Sequence, residues 1–374
     1  MPPQLYQFLN IDLDHSKEEN LWMAFSRVFL SMTEHIAASP TTTINEIVSR
    51  LVDCGIINEN TSEQGLQCVR YLVFSVLGWQ TMLFKPAPMD RNPCQFIIED
   101  EQNGFRGQAY LELQQDMKTC TKDTLSELLM GFGMLLPAKN MCLSDDTEEQ
   151  KAYHQELEVN IRGLNANLIV SVAGVRLKWV DTLACHLEYN PAVKELYLFR
   201  FPSFCLSCLG SSDSSHKSVI HACSTTSHLH CQWAADIDVD SMLREILLSY
   251  RLLFGQSKKS RALFRSVDPF SGRPKSDRDQ VLPMLCGKKS CPALDLHERE
   301  TYYLPEDFPV LRYRISVLQT HLSRSVPRTW SQLWRDKRDS AHWLTFWAVI
   351  AYGALGILLA LIQVILQFVQ IIVP

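Results

Sequence analysis

Thirty consecutive residues without a charged side chain, 344–373, occupy the C-terminal end of this chain. The stretch reads LTFWAVIAYGALGILLALIQVILQFVQIIV, with one threonine and three glutamines as its clearly polar members. The hydrocarbon core of a bilayer requires roughly 20 apolar residues in helical form. The sequence therefore predicts one transmembrane helix over 344–373, embedded from about Ala348 to Ile371, with Trp343 and Trp347 at the lipid headgroups.

The position of this helix predicts a tail-anchored topology, because only Pro374 follows Val373. The first residues, MPPQLYQFLNIDLDHSKEEN, lack the basic and apolar regions of a signal peptide, so we expect the rest of the chain to stay in the cytosol. Basic residues before the span, such as Arg328, Arg335 and Lys337, agree with this orientation. Apolar tails with no basic residue after them resemble those sorted to the endoplasmic reticulum, which is the membrane we expect.

Three glutamines interrupt the apolar helix near its distal end. Gln363, Gln367 and Gln370 are spaced i, i+4 and i+7, so their amides share one face. Polar side chains in lipid seek partners on another helix, which predicts self-association through this face. The alternative is three tolerated amides close to the membrane interface.

Composition bounds the region before the helix. Roughly 340 residues rich in Leu, Val, Ile and aromatics are enough for one large domain or two ordinary ones. The formal net charge of -5 has the wrong sign for a nucleic-acid-binding protein, so we expect no nucleic-acid partner. A local basic run, Lys258, Lys259, Arg261 and Arg265, is typical of a solvated helix end, with contact to lipid headgroups or nucleic acid as the alternative.

The chain carries 12 cysteines. They are scattered through a long chain that we place in the cytosol, where thiols are kept reduced. Reduced and mostly buried thiols are therefore the expectation, in preference to a disulfide framework.

Helical periodicity dominates the predicted N-terminal domain, residues 1–143. We expect helices over 21–36, 43–55, 62–78 and 124–136, and short strands over 94–98 and 108–113 joined by a turn at Asn103-Gly104. Three helices followed by a small β-ribbon is the order of a winged-helix domain. Arg70 is the only cation of the candidate recognition helix, which argues against DNA reading and leaves a winged-helix-like protein-binding module open.

An acidic stretch, SDDTEEQKAYHQELE at 144–158, predicts a linker to an α+β domain over 159–265. In this domain we expect a hairpin, a helix, a third strand and a long helix. The expected positions are 168–172 and 175–179 for the hairpin around Ala173-Gly174, 180–189 for the helix, 194–201 for the strand, and a start at Asp240 or Ser241 for the long helix.

A loop is predicted at 266–280, followed by a membrane-proximal helical segment at 281–342 in which Pro309 begins a helix. The predicted fold class is therefore α+β, a helix-rich cytosolic region with a single C-terminal transmembrane helix.

Thiols and imidazoles are concentrated around the Ser/His/Cys loop at 210–231. They are Cys205, Cys208, His216, His221, Cys223, His228, His230 and Cys231. These side chains are zinc ligands in proteins, and C-x2-C places two sulfurs for one ion. The spacing from His221 to His228 does not fit a zinc finger, however. We therefore favour a variable loop beside buried cysteines and predict no metal site.

Sequence motifs of catalysis are missing. The chain has no P-loop, no G-x-G-x-x-G, no G-x-S-x-G and no H-E-x-x-H. Asp236, Asp238 and Asp240 alternate as in the start of an EF-hand, but the required glycine and the final acid are missing, so helix capping explains them better. His186 is interpreted as a hydrogen-bonded, partly buried histidine. We predict no catalytic residue and no cofactor.

Several stretches share a pattern with proteins of one group. They are VRLKWVDTLACHLEY with LYLFRFPSFC, EDFPVLRYRISVLQTHL, and the C-terminal PRTWSQLWRDKRDSAHWLTFWAVIAYGALGILLALIQVILQ. On these stretches the chain resembles a widespread group of uncharacterised, tail-anchored-like membrane proteins of filamentous fungi. The resemblance implies a fungal source and membrane anchoring, and it implies no activity.

Two functions are consistent with this pattern. The first and favoured one is a membrane-tethered binding or scaffold protein whose cytosolic region recruits another protein. The alternative is a membrane-associated enzyme that acts on a lipid or a membrane-proximal substrate through a site without a recognisable motif. A broad exposed apolar patch would favour binding, whereas a deep polar pocket would favour catalysis.

Overall fold

The structure of the chain is a computed structural model. It describes residues 17–88, 94–102, 112–133, 136–137, 153, 156–211, 218–224, 234–288, 298–325 and 340–372. The α-helices are α1 (Lys17–Ala38), α2 (Ile44–Asp53), α3 (Glu63–Thr81), α4 (Met117–Cys120), α5 (Leu125–Gly131), α6 (Ala166–Ser171), α7 (Pro202–Ser211), α8 (Asp236–Tyr250), α9 (Lys258–Val267), α10 (Val281–Leu285), α11 (Leu304–Asp307), α12 (Arg312–Arg324) and α13 (Ser340–Ile372). The strands are β1 (Gln95–Ile97), β2 (Gln114–Asp116), β3 (Glu158–Asn160), β4 (Arg176–Val180), β5 (Tyr189–Asn190), β6 (Glu195–Phe199) and β7 (Thr301–Tyr303). The predicted fold class is confirmed, because the chain is helix-rich α+β with one apolar C-terminal helix.

The first three helices form where helical periodicity predicts them. At the start of α2, the Thr43 hydroxyl accepts from the Glu46 N–H and the Glu46 carboxylate accepts from the Thr43 N–H, which completes a capping box. Gly55 follows with a φ of 67°, a conformation that favours glycine. Ser62 caps α3, which runs on to Thr81, beyond the predicted end.

An aromatic stack joins α3 to the small antiparallel ribbon of β1 and β2. The Phe74 ring stacks on Phe96 of β1 at 4.5 Å between centroids and on Phe84 at 4.6 Å. The predicted strand at 94–98 is therefore confirmed. The second strand of the described ribbon is Gln114–Asp116, whereas most of the strand predicted at 108–113 and the Asn103-Gly104 turn lie outside the described residues.

The predicted hairpin at 168–179 is wrong, because its first half is helix α6. The Asn165 side chain accepts from the backbone N–H of Leu168 at 3.1 Å and so starts a helix. Gly174, with a φ of 68°, then turns the chain into β4. A short apolar run does not by itself distinguish a helix from a strand. Here the Asn165 N-cap favours the helix.

The predicted helix at 180–189 is also wrong. The chain leaves β4 at Val180 and forms a short 3-10 turn at Leu183–Cys185 before β5. The Glu101 carboxylate holds this turn, accepting from the Thr182 hydroxyl at 2.6 Å and from the Thr182 N–H at 2.9 Å. The resulting sheet has the order β4-β6-β5, with β4 parallel and β5 antiparallel to the central strand.

Two further predictions need correction. Helix α8 begins at Asp236 rather than after Asp240 or Ser241, because the Asp238 carboxylate accepts from the Ala235 N–H and caps the helix earlier. The segment at 281–342 is only partly helical, because it contains β7. That strand pairs antiparallel with β3, far away in sequence, and Pro309 precedes α12 without being part of it.

The hydrophobic core receives side chains from both sides of the predicted linker. Val28 and Leu77 belong to the same buried cluster as Leu196 and Ile246. The linker at 144–158 falls mostly outside the described residues, so the division into 1–143 and 159–265 stays a prediction.

Helix α12 is fixed to the rest of the fold by charged side chains. Arg314 donates to the carbonyl oxygen of Ala184 at 2.7 Å, to that of His186, and to the Glu188 carboxylate at 3.0 Å. The buried Glu245 of α8 accepts hydrogen bonds at the N-terminal end of the same helix. These ties hold α12 against α8 and the sheet.

Candidate functional site

A series of hydrogen-bonded polar side chains connects α8 to the 3-10 helix Val219–Cys223. His221 Nε2 lies 3.1 Å from Asp240 Oδ1, and His221 Nδ1 lies 2.8 Å from Ser218 Oγ. His221 is buried, whereas Ser218 and Asp240 are half-buried. These are the residue types of a Ser-His-Asp triad, although no hydrolase motif surrounds them.

The ring is turned the other way from a serine hydrolase triad, in which Nε2 faces the serine. The carboxylate of Asp240 favours a proton on Nε2, which leaves Nδ1 free to accept from the Ser218 hydroxyl. Nδ1 also lies 3.3 Å from the Ser218 carbonyl oxygen, within the same helical turn. The arrangement ties this turn to α8, and activation of the hydroxyl is the chemical alternative.

The cysteines beside this hydrogen-bonded series are neutral thiols of the hydrophobic core. Burial raises the pKa of Cys208 to about 11, with a hydrogen bond between this thiol and Ser218 partly opposing it, and raises that of Cys223 to about 12. Burial also holds the pKa of Cys205 well above its usual value. In the structure these three side chains belong to the buried hydrophobic cluster.

In the ranges that the structure describes, no group of three or more His, Cys, Asp or Glu side chains is arranged to hold a metal ion. Four of the candidate ligands named from the sequence, His216, His228, His230 and Cys231, lie outside those ranges.

Both ring nitrogens of His186 form hydrogen bonds inside the core, as the sequence indicated. The side chain is fully buried, whereas partial burial was predicted. Its Nε2 lies 2.7 Å from Ser249 Oγ, and its Nδ1 accepts from the Phe199 N–H at 3.2 Å. Burial, with a smaller contribution from Arg314, lowers the pKa of His186 to about 3. The ring is therefore a neutral structural hydrogen-bonding group.

Helix α13 is the largest apolar surface that the described chain presents to its surroundings. Its section Trp347–Gln367 is long and apolar enough to cross a membrane, and no part of that section is buried within the protein. At about 1.5 Å per residue, 21 residues span roughly 32 Å, close to the thickness of a bilayer core. Gln363 and Gln367 are exposed on it, and the side chain of Gln370 is outside the described part.

A second apolar surface lies on α1. Trp22, Met23 and Leu30 are 67%, 56% and 58% exposed, although they belong to a helix whose other face is in the core. Phe25 connects this surface to Trp79 of α3, with ring centroids 5.8 Å apart. We name Trp22, Met23, Leu30 and Trp79 the α1 patch. Exposed aromatic and large apolar groups that cluster in this way are typical of interaction sites.

Comparison with protein-family models, with curated proteins and with solved structures finds no match.

The sequence contained a signal for the α1 patch that periodicity did not use. The apolar stripe through Phe25, Val28 and Met32 accounts for the buried face, and Met23 and Leu30 fall outside it. Large apolar residues on the opposite face of an amphipathic helix are the readable sign. The contact between His221 and Asp240, by contrast, follows only from the fold.

Proposed function

We propose that the chain is a membrane-anchored binding protein, held in a bilayer by α13, with the remaining chain facing the cytosol and recruiting a partner protein. The observation that carries the anchoring is that no residue of the apolar section Trp347–Gln367 is buried in the protein. In water such a helix would leave its whole apolar circumference hydrated, which the hydrophobic effect opposes.

Two other kinds of helix share this length and composition. The core helix of a soluble protein is mostly buried, whereas this one is not buried at all. A signal sequence lies near the N-terminus, whereas this helix follows the folded region. A bilayer is the environment that both observations favour.

Free thiols support the cytosolic orientation. Seven cysteines within the described ranges form no disulfide, and five of these are buried: Cys120, Cys185, Cys205, Cys223 and Cys286. Oxidising compartments favour disulfides, whereas the cytosol keeps thiols reduced. The endoplasmic reticulum is the finer part of the proposal, and its support is the uncharged, apolar character of residues 344–373.

The α1 patch supports the binding part of the proposal. It lies on a helix whose opposite face is anchored by Val28, Met32 and Ile36, all fully buried, so the exposed side chains are presented on a fixed support. Aromatic residues on rigid elements supply much of the binding energy at protein interfaces. The partner is expected to present a complementary apolar surface.

Protease protection tests the orientation. We would express the chain with a different tag at each end, isolate sealed vesicles and add protease with and without detergent. The N-terminal tag should be digested without detergent and the C-terminal tag protected, and alkaline carbonate should not extract the protein. Protection of the N-terminal tag would place the folded region in the lumen, and extraction by carbonate would exclude an integral anchor.

Photo-crosslinking tests binding through the α1 patch. A photoreactive amino acid at Met23 should give a discrete crosslinked product in intact cells, which W22S/L30S should abolish. The same group at Ile237, an exposed apolar residue on α8, is the matched control. Equal products from both sites would reject the α1 patch as a specific surface.

A second candidate function is a membrane-associated hydrolase. The hydrogen-bonded series of Ser218, His221 and Asp240 favours it. A fluorophosphonate probe reports on an activated serine. Labelling that S218A and H221Q both remove would support this function, whereas no labelling of the folded chain would reject it.

The exposed amides of Gln363 and Gln367 support self-association within the membrane as a further part of the proposal. Energy transfer between two labelled copies should fall in Q363L/Q367L. Unchanged transfer would mean that the amides do not pair.

A further inference from the structure

Helix α9 presents a basic face to its surroundings. Lys258, Lys259 and Arg265 are exposed, and the 3.6-residue repeat places Lys258 and Arg265 on the same side of the helix. The half-buried Arg261 lies next to them and donates to the Gly255 carbonyl oxygen at 2.6 Å. We name Lys258, Lys259, Arg261 and Arg265 the α9 basic face.

The opposite side of α9 is firmly held, so the orientation of its basic face is fixed. Phe264 is buried, and its ring centroid lies 5.7 Å from Phe254 and 6.3 Å from Trp179. Trp179 Nε1 donates to the Val267 carbonyl oxygen at 2.6 Å, and the buried Ser260 donates to Asn165 at 3.1 Å.

The described part of the fold leaves the charges of this face without an acidic partner. Within the described ranges, no carboxylate lies at ion-pair distance from Lys258, Lys259 or Arg265. The nearest acids in sequence are engaged elsewhere: Asp268 accepts from the Phe270 N–H and Asp277 from the Ser276 hydroxyl.

The loop after α9 continues the positive charge along the chain. Arg273 and Lys275 are exposed there. Residues 258–280 contain seven basic and three acidic side chains, a net charge of +4 in a chain whose net charge is -5. A cluster of positive charges in a chain whose net charge is negative creates a local positive potential that attracts anionic partners.

We propose that the α9 basic face docks on the anionic lipid headgroups of the same membrane that holds α13. This inference rests on the proposed anchoring. Juxtamembrane Lys and Arg side chains are attracted to anionic leaflets without a stereospecific pocket, which suits a convex helix face. Nucleic acid is the less favoured partner, because single-strand binding uses exposed aromatic rings, and Phe264 and Phe270 beside this face are buried.

The anchor makes this weak attraction effective. Residues 326–339, about 14 residues, join α12 to α13 and can span at most ~50 Å when extended. The folded region therefore stays within a short distance of the bilayer surface. Tethering replaces a bimolecular encounter by an intramolecular one at high effective concentration.

Energy transfer in reconstituted vesicles tests the docking. The full chain would carry a donor dye on an unnatural amino acid at the exposed Ser271, in vesicles of phosphatidylcholine alone or with 30% phosphatidylserine and an acceptor on the headgroups. Transfer should rise with phosphatidylserine and fall as salt is raised. At about fivefold per cation, K258Q/K259Q/R265Q should lower the ratio of docked to undocked chain on the order of 100-fold.

A matched variant separates this face from total charge. R50Q/K118Q/K122Q removes one arginine and two lysines that are also exposed, and it should leave the lipid dependence intact. Equal loss in both variants would overturn the inference. A carbonate-resistant chain with no response to phosphatidylserine would also overturn it and leave the anchoring standing, whereas a chain that fails to integrate into either vesicle would refute the anchoring itself. A duplex DNA oligonucleotide bound by the wild-type chain and lost in the α9 variant, without a lipid response, would assign the face to nucleic acid.

Discussion

The Glu245 carboxylate lies 3.0 Å from the backbone nitrogen of Val310. It also accepts from the backbone N–H of Leu311 at 2.6 Å. The first backbone N–H groups of a helix have no partner within the helix, and the positive end of the helix dipole attracts a negative charge. A buried side chain of α8 thus caps α12 from a distant part of the sequence.

Removal of this cap should destabilise the fold strongly. E245A leaves two buried donors unsatisfied, so we expect a loss of about 3 kcal/mol of unfolding free energy. E245Q should lose less, because one oxygen still accepts. Denaturant unfolding of the full chain in detergent measures both. The exposed Glu306 supplies the control E306Q, and a loss in E245A no larger than in this control would mean that the cap does not stabilise α12.

The low pKa of His186, about 3, predicts acid sensitivity. The folded-state pKa lies below the usual 6.5, so stability from this group is complete above pH 6.5 and decreases as the pH falls toward 3. The slope is about 1.4 kcal/mol per pH unit, or about 2 kcal/mol between pH 6.5 and 5. H186Q keeps an acceptor for Phe199 and should flatten that slope. Parallel slopes in the two proteins would mean that His186 does not contribute.

Thiol reactivity should follow burial. Alkylation requires the thiolate, and burial raises the pKa of Cys120 to about 12. At pH 8 its thiolate fraction is on the order of 1000-fold below that of an ordinary exposed thiol. We expect iodoacetamide to modify the exposed Cys54 first and the six buried cysteines only after denaturation, as read by peptide mass spectrometry. Rapid native labelling of Cys120 would contradict the structure.

Gly255 closes the π-helix after α8 and permits a close approach. A Cβ there would lie 2.5 Å from the Arg251 guanidinium carbon and 2.7 Å from the Leu285 carbonyl oxygen. G255A should cost about 1–3 kcal/mol through overpacking, because the backbone oxygen cannot rotate away. G210A is the control, since nothing lies within 4 Å of that position. Equal thermal unfolding of the two variants would argue against this packing.

Charges in the middle of α13 should weaken its membrane insertion. Leu358 and Ile362 lie one helical turn apart in the apolar section, and each arginine at such a depth costs about 2.5–3.5 kcal/mol on insertion scales. L358R/I362R should therefore move protein from the carbonate-resistant fraction to the soluble one, whereas L358F/I362F should not. Retention of the arginine variant would mean that another segment holds the protein at the membrane.

Local signals in the sequence were sufficient for the helices near the N-terminus. The Thr43 and Ser62 caps, Gly55 and a regular apolar stripe all indicate the same elements, so prediction and structure agree. The apolar C-terminal helix was also predictable, because its length and apolar composition alone indicate a helix of membrane-spanning type.

Long-range contacts account for most of what the sequence did not predict. The turn at Thr182 depends on Glu101, and β3 pairs with β7 at Glu158 and Tyr303, partners that no local pattern connects. The contacts of the candidate site are also long-range. His221 and Asp240 were each noted separately, as a metal ligand and a helix cap, and only the packing of two elements joins them.

The three hydrogen-bonding contacts of Arg314 give the fold a mechanical property. Helix α12 precedes the apolar helix α13 in the chain, and Arg314 fastens it to Ala184, His186 and Glu188 beside the central sheet. Under the proposed anchoring, a pull on α13 would be transmitted along the chain to α12, where these hydrogen bonds to the sheet region would resist it.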